Sequence, residues 1–213
     1  MKTRLILLAA GNSRRFGSNK LLYFIDEKPM FMYGLEVMRE LLLNDPDREL
    51  YVVTRFEPIM EAVEKLRSDQ RLNNRTHVIN SPDSTLGVSY SIRAGLCEGE
   101  LQPDYYMFMV ADQPFIKAET VEKLIRETGL QEKIAGCVTW EGVPGNPVIF
   151  SKQLKEELSA LQEDQGGKVV LKKYMDQVCK ISASSEEELA DKDTKDVFDM
   201  DGRQGGRFIE KKL

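Results

Sequence analysis

Two kinds of apolar pattern alternate along this chain. Short, nearly continuous apolar or β-branched runs occupy residues 4–10, 49–54, 76–80, 105–110 and 134–139. Runs of this length predict buried strands. Between them, apolar residues recur every three or four positions, the period of a helix face. The spacing predicts a helix over 30–43, with Met30, Tyr33, Leu35, Val37, Met38, Leu41 and Leu42 toward a core and Pro29 at its start. A second is expected over 58–69, with Ile59, Ala62, Val63 and Leu66 inward. A third spans 117–128, with Val121, Leu124 and Ile125 inward. Residues 20–25 read as an extended segment and 26–29 as a turn. Shorter helices are expected at 89–96, 151–161 and 169–175, and a last strand at 177–182. Residues 140–150, with two glycines and two prolines, read as an irregular loop running into a β-rich stretch.

Strands alternating with helices predict parallel pairing through right-handed crossovers, with the ligand at the carboxyl edge of the sheet. No internal repeat and no domain boundary stands out. One domain over 1–201 is expected, and the glycine- and arginine-containing 202–213 reads as a flexible tail.

The 213 residues, 41% of them hydrophobic, suffice for one large packed α/β domain. A formal charge of −5 argues against general nucleic-acid binding. No apolar run approaches the roughly 18 residues of a membrane span, so no membrane association is expected. The first residues lack a secretory pattern, so a cytoplasmic location is expected. Cys97, Cys137 and Cys179 lack metal-type spacing. His77 is the only histidine, which argues against Ser-His-Asp catalysis and histidine-rich metal sites. It is expected to be structural.

Candidate chemistry starts where the first strand ends. Leu8, Ala9, Ala10 and Gly11 lead into Asn12, Ser13, Arg14, Arg15, Phe16 and Gly17, with Lys20 soon after. Glycines allow close backbone approach, and amides, guanidinium groups and an ammonium group all favour anions. A polyphosphate fits such a turn. The spacing is not a Walker loop, because five residues separate Gly11 from Gly17 and Leu21 follows Lys20. It is not a dinucleotide fingerprint either, since no glycine stands two residues after Gly11. A second candidate closes the strand at 105–110. Asp112 follows it, and a carboxylate there, beside a phosphate-binding turn, is explained by a divalent cation.

The run Leu-Ala-Ala-Gly-x-Ser-x-Arg-Phe-Gly-x-Asn-Lys resembles the signature of the MobA/MocA-type nucleotidyltransferases, in its variant most similar to molybdenum cofactor cytidylyltransferases. The resemblance covers roughly residues 4–198. It implies a three-layer, Rossmann-like, mostly parallel sheet with helices on both faces, as in nucleotide-diphospho-sugar transferases. It implies a transferase that moves CMP from CTP to a molybdopterin-type acceptor with release of pyrophosphate. The cofactor implied is Mg²⁺, or Mn²⁺ in its place. A molybdoenzyme receiving the product is a further partner it brings. Alternatives with the same fold use GTP or a sugar or polyol phosphate, or bind the cofactor without catalysis.

Residue by residue, the resemblance assigns Lys20, Arg15 and Asp112 to catalysis. Leu8, Ala9, Ala10, Gly11, Ser13 and Arg14 would contact the nucleotide, as would Asn80, Ser81, Gly87, Ser89 and Ser91 of the motif Gly-x-Ser-x-Ser. Ser89 also reads, on its own, as a helix cap. Asp112 would hold the metal with Asp193 or Asp191 from the segment similar to Asp-Ile-Asp-Thr. Asn146 and Pro147, where relatives often carry His-Pro, and Asp164 and Lys168, from a Gly-Asp-x-Gly-like loop, would contact the acceptor. Trp140 offers an indole for stacking or for the core.

Overall fold

Leu5, Ile6 and Leu7 have no exposed surface, because β1 (Thr3–Ala9) runs through the middle of the molecule. The structure, a computed structural model, describes residues 1–11, 19–97, 99 and 102–190. After β1 comes a small antiparallel hairpin of β2 (Phe24–Ile25) and β3 (Lys28–Pro29). The main sheet adds β4 (Arg48–Thr54), β5 (Thr76–Asn80), β6 (Tyr105–Val110), β7 (Ala135–Trp140), β8 (Val143–Ser151) and β9 (Val178–Ser182). Its seven strands stand in the order β5-β4-β1-β6-β8-β7-β9. Six run the same way, and β8 runs antiparallel to both neighbours. The mostly parallel, helix-covered sheet matches expectation. The reversed strand has a local cause. Glu141 and Gly142, both at positive φ (48° and 81°), form a two-residue turn, and such a turn joins only antiparallel neighbours.

Side chains on opposite faces of β1 enter two different cores. Leu5, Leu7 and Ala9 meet α1 (Met30–Asn44), α2 (Glu57–Arg67) and α4 (Ala118–Leu130). Ile6 meets α3 (Val88–Gly95), α5 (Lys155–Ser159) and α6 (Lys168–Lys173). Three layers result. Helix α1 buries Met30, Phe31, Leu35, Met38, Leu41 and Leu42, each contributing about 1.5–3 kcal/mol. Tyr33 and Val37 sit half-buried at its flank. Helix α3 lies so close to β1 that a Cβ on Gly95 would come within 2.6 Å of Ile6 Cγ2. Its C-terminal carbonyls Gly95 O and Cys97 O accept hydrogen bonds from Arg4, a buried guanidinium stacked 4.1 Å from the Tyr51 ring centre. A cation there complements the helix dipole.

Other local departures have local causes. Residues 20–22 form a 3₁₀ turn rather than an extended segment, since the Asn19 side chain accepts the Leu21 N–H at 3.1 Å. The stretch 140–150 is a hairpin, not a loop. Its prolines are tolerated because the β7–β8 pairing shifts register between Cys137 and Thr139, with a cis Asn146–Pro147 bond in the irregular part. The helix expected at 151–161 is a 3₁₀ turn followed by the short α5. His77 stacks against Tyr51, with ring centres 4.6 Å apart.

Candidate active site

Six strands deliver their carboxyl ends to one edge of the sheet, and β8 delivers its beginning there. Lys20 follows β1 in the chain, and Asp112 stands two residues past β6. Because β1 and β6 pair directly, the two side chains meet: Lys20 Nζ lies 2.7 Å from Asp112 Oδ2. Both are shielded, with side chains 11% and 24% exposed, so the attraction is screened less than on an open surface. Asn19 explains the presentation of Lys20, because its cap tightens the turn that carries the ammonium inward. The end of β1 is held from outside. Arg55 Nε donates to Ala10 O at 3.2 Å, and Thr54 Oγ1 donates to Ala9 O at 2.9 Å.

The ion pair lines a cavity of about 330 Å³. Leu8, Ala10 and Gly11 form one wall, with Gly87, Ser91 and Asp164 across from them. Gly87 is required at its position. Its φ is +142°, and an added Cβ would fall 2.2 Å from Glu163 O. That carbonyl also accepts the Ser89 N–H at 3.0 Å, so the turn at 162–167 clasps the start of α3. Gly87, not Ser89, is the cap residue of this helix.

Two further cavities continue the first. One of about 370 Å³ shares Leu8, Val88, Val110 and Asp164 with it and adds Asn146 and Lys168. The next, about 390 Å³, shares Asn146 and Lys168 and is bounded by Trp140, Gln113 and Glu141. Together they make one trough across the carboxyl edge. Trp140 lines its far end and also packs on the core. Asp164 stands at the first junction and Lys168 at the second.

Not every expected residue reaches the trough. Ala9 points into the core, and Pro147 is buried behind Asn146. Ser89 is fully buried, and its hydroxyl finds no hydrogen-bond partner among the described residues. Asn80 is exposed at the end of β5, and Ser81 stands one hydrogen bond behind the cavity wall. Ser13, Arg14, Arg15, Asp191 and Asp193 lie outside the described residues. Ser84 and Val88 line the first cavity without having been singled out in the sequence. The signal for Ser84 was there, since it stands in the same polar loop as Ser81 and Gly87, but no motif position marks it.

Among the described residues, no cysteine or histidine lines these cavities. Burial pushes the Cys137 thiol up to about 11 and also raises Cys179, so neither is a ready thiolate. Among the described residues, no three His, Cys, Asp or Glu side chains gather as a metal-type cluster. Asp112 and Asp164, however, put two carboxylates on one cavity. Their oxygen donors suit a hard divalent cation that completes its shell with water and phosphate. Beside the trough, Glu188 is fully buried. Its carboxylate accepts from Ser184 N at 2.8 Å and from Lys117 N at 3.4 Å, and Gln113 Nε2 donates to Leu189 O at 3.1 Å. These bonds fasten 184–189 against the start of α4.

A three-layer, mostly parallel sheet binds its ligand in the crevice outside the carboxyl ends of its strands. Residues 5–178 match the MobA-like NTP transferase domain, and the chain belongs to that family. It is 24% identical over 197 residues to the purine catabolism protein PucB of Bacillus subtilis (strain 168), covering 92% of this chain and 93% of that one. Among solved structures, Rv0371c of Mycobacterium tuberculosis H37Rv superposes with a TM-score of 0.72 at 20% identity, over 94% and 96% of the two chains. Its complex with manganese superposes at 0.64 and 20% identity, over 86% and 89%. CMP:2-keto-3-deoxy-manno-octonic acid synthetase complexed with CTP shares the fold at 0.64 and 14% identity, over 95% and 99%.

Proposed function

We propose that the chain transfers CMP from CTP to the phosphate of a molybdopterin-type acceptor. An acceptor phosphate oxygen attacks the α-phosphorus, the bond to the bridging oxygen breaks, and pyrophosphate leaves. The observation that carries this reading is the Lys20–Asp112 pair on a cavity walled by Gly11. It sets an ammonium and a carboxylate on the same cavity as Gly11, from which the expected polyphosphate turn begins.

The first cavity would hold the nucleotide, and the two that continue it would hold the acceptor. Asn146, Asp164 and Lys168 then belong to the acceptor side, with Asp164 at the border. Such chemistry depends on alignment and on charge stabilisation rather than on a covalent nucleophile. Lys20 would move its ammonium from Asp112 onto the α-phosphate as negative charge builds there. Amides near Gly11, with Ser13, Arg14 and Arg15, would hold the outer phosphates. Asp112 and Asp164 fit Mg²⁺ or Mn²⁺, with Asp193 or Asp191 as the additional ligand that the family resemblance brings. Bound there, the cation would supply Lewis-acid neutralisation of phosphate oxygens.

The test is pyrophosphate release with CTP, GTP, ATP and UTP, each with and without a molybdopterin-type acceptor. Release with CTP that depends on the acceptor is expected. Binding of nucleotide without any release would replace the transferase by a carrier. Release with a sugar or polyol phosphate instead would move the acceptor assignment.

A further inference from the structure

The ladder between β1 and β4 ends with the pair Ala9 and Thr54. One residue further on, a side chain supplies the next bond: Arg55 Nε donates to Ala10 O at 3.2 Å. The Arg55 guanidinium also stacks on the neighbouring Phe56, 4.3 Å from the ring centre, which steadies its plane. Ala10 and Gly11 line the first cavity, and Arg55 does not. Arg55 therefore grips the strand end from the side turned away from the cavity.

A trans peptide is planar, with its C=O and its N–H on opposite sides. The Ala10–Gly11 bond is trans. Its carbonyl is held toward Arg55, so the Gly11 N–H points the other way, toward the cavity. No described residue accepts that N–H. A carbonyl that accepts from a cation also polarises its own amide, which makes the N–H a stronger donor. The approach is open, since even a Cβ on Gly11 would meet nothing within 4 Å.

We infer that Arg55 is a positioning residue for the triphosphate: from outside the cavity it turns the Gly11 N–H toward the outer phosphates. The inference rests on the nucleotidyltransferase reading of the cavity and adds to it a residue that does not line the cavity. With Lys20 serving the α-phosphate, the loss of Arg55 falls on the phosphates beyond it. A nucleoside monophosphate has none of these, so the CTP-to-CMP affinity ratio isolates the effect. A strand end that had merely loosened would weaken both nucleotides alike.

The experiment measures CTP and CMP dissociation constants by calorimetry, with Mg²⁺, for the wild-type chain and for Arg55→Met and Arg55→Lys. Circular dichroism and melting curves establish that each variant is folded. Arg55→Met keeps an apolar stem over Phe56 and removes the donors. It is expected to weaken CTP by at least about tenfold, the scale of one hydrogen bond to a charged group, and to leave CMP unchanged. Arg55→Lys keeps the charge without the planar donor and is expected to lose CTP affinity as well. If Arg55→Met fails to fold, Arg55→Lys decides the matter by the same ratio. In spectra of protein carrying ¹⁵N-glycine, the Gly11 amide is the signal missing from Gly11→Ala. CTP is expected to shift it downfield in the wild type and not in Arg55→Met. An unchanged ratio in the folded variants, equal weakening of both nucleotides, or wild-type behaviour of Arg55→Lys overturns the role given to Arg55. A folded wild type that binds neither CTP nor CMP overturns the CTP-transfer reading itself.

Discussion

Lys20 and Asp112 are brought to 2.7 Å by the direct pairing of β1 with β6. Removing either charge is expected to abolish transfer with little harm to the fold. Lys20→Ala and Asp112→Ala should each lower pyrophosphate release by about 10²–10³-fold or more, the usual scale for deleting one group that stabilises developing charge. Circular dichroism should be unchanged, and melting temperatures should move by only a few degrees. Near-wild-type turnover by a folded Asp112→Ala protein would remove the cation site from that carboxylate.

Metal dependence can be read without turnover. A ligand that binds only the native state stabilises it, by about 2.7 kcal/mol at a hundred times its dissociation constant. CTP with Mn²⁺ is expected to raise the melting temperature of the wild type, and EDTA to cancel most of that rise. In Asp112→Asn the manganese-dependent part should vanish. An equal rise in the variant would place the ion elsewhere.

Gly87 offers a purely steric test. An alanine there would need φ near +142° and would drive its Cβ into Glu163 O. Either the backbone strains or the 162–167 turn moves away. Gly87→Ala is expected to cost about 1–3 kcal/mol of stability and to raise KM for both substrates, since Asp164 moves with that turn. Denaturant melts and initial rates check this. A variant with wild-type stability and KM would mean that the two loops do not clasp in solution.

Glu188 predicts an acid limit. Burial alone would raise its carboxyl pKa. The hydrogen bonds from Ser184, Thr120 and Lys117 outweigh that and hold it below the ordinary 4.5. The ionised group therefore stabilises the fold fully above that value, and the contribution fades as pH falls through the lower, folded-state pKa. Glu188→Gln should be less stable than wild type at pH 7 by about 1–3 kcal/mol. The gap should close in acid. Calorimetric melts from pH 7 down to pH 3 test the convergence.

Much of this was readable from residues alone. The runs at 49–54, 76–80 and 105–110 fell close to β4, β5 and β6 because buried central strands need continuous apolar residues. The meeting of Lys20 and Asp112 was legible because each follows an apolar run of the buried-strand kind, and those two strands pair. Tertiary reach was not legible. That Asp164 would stand against the cavity of Asp112 depends on how the 162–167 turn folds onto α3, which no local pattern encodes. Ser89 matched a motif position yet is buried, since its backbone serves Glu163 O and its side chain faces inward. The reversal of β8 hung on a two-residue turn, Glu141-Gly142, inside a stretch whose prolines suggested a loop.

That reversed strand divides the labour of the sheet edge. Residues up to 112 supply the walls of the first cavity except for Asp164, whereas Asn146 and Trp140 come from β8 and the strand before it. The tip joining those two strands projects beyond the ladder, with Val143 67% exposed. Extra residues inserted at Glu141-Gly142 would therefore reshape the end proposed for the acceptor and leave the end proposed for the nucleotide intact. A grafted tip is thus the economical route to a new acceptor on an unaltered nucleotide donor.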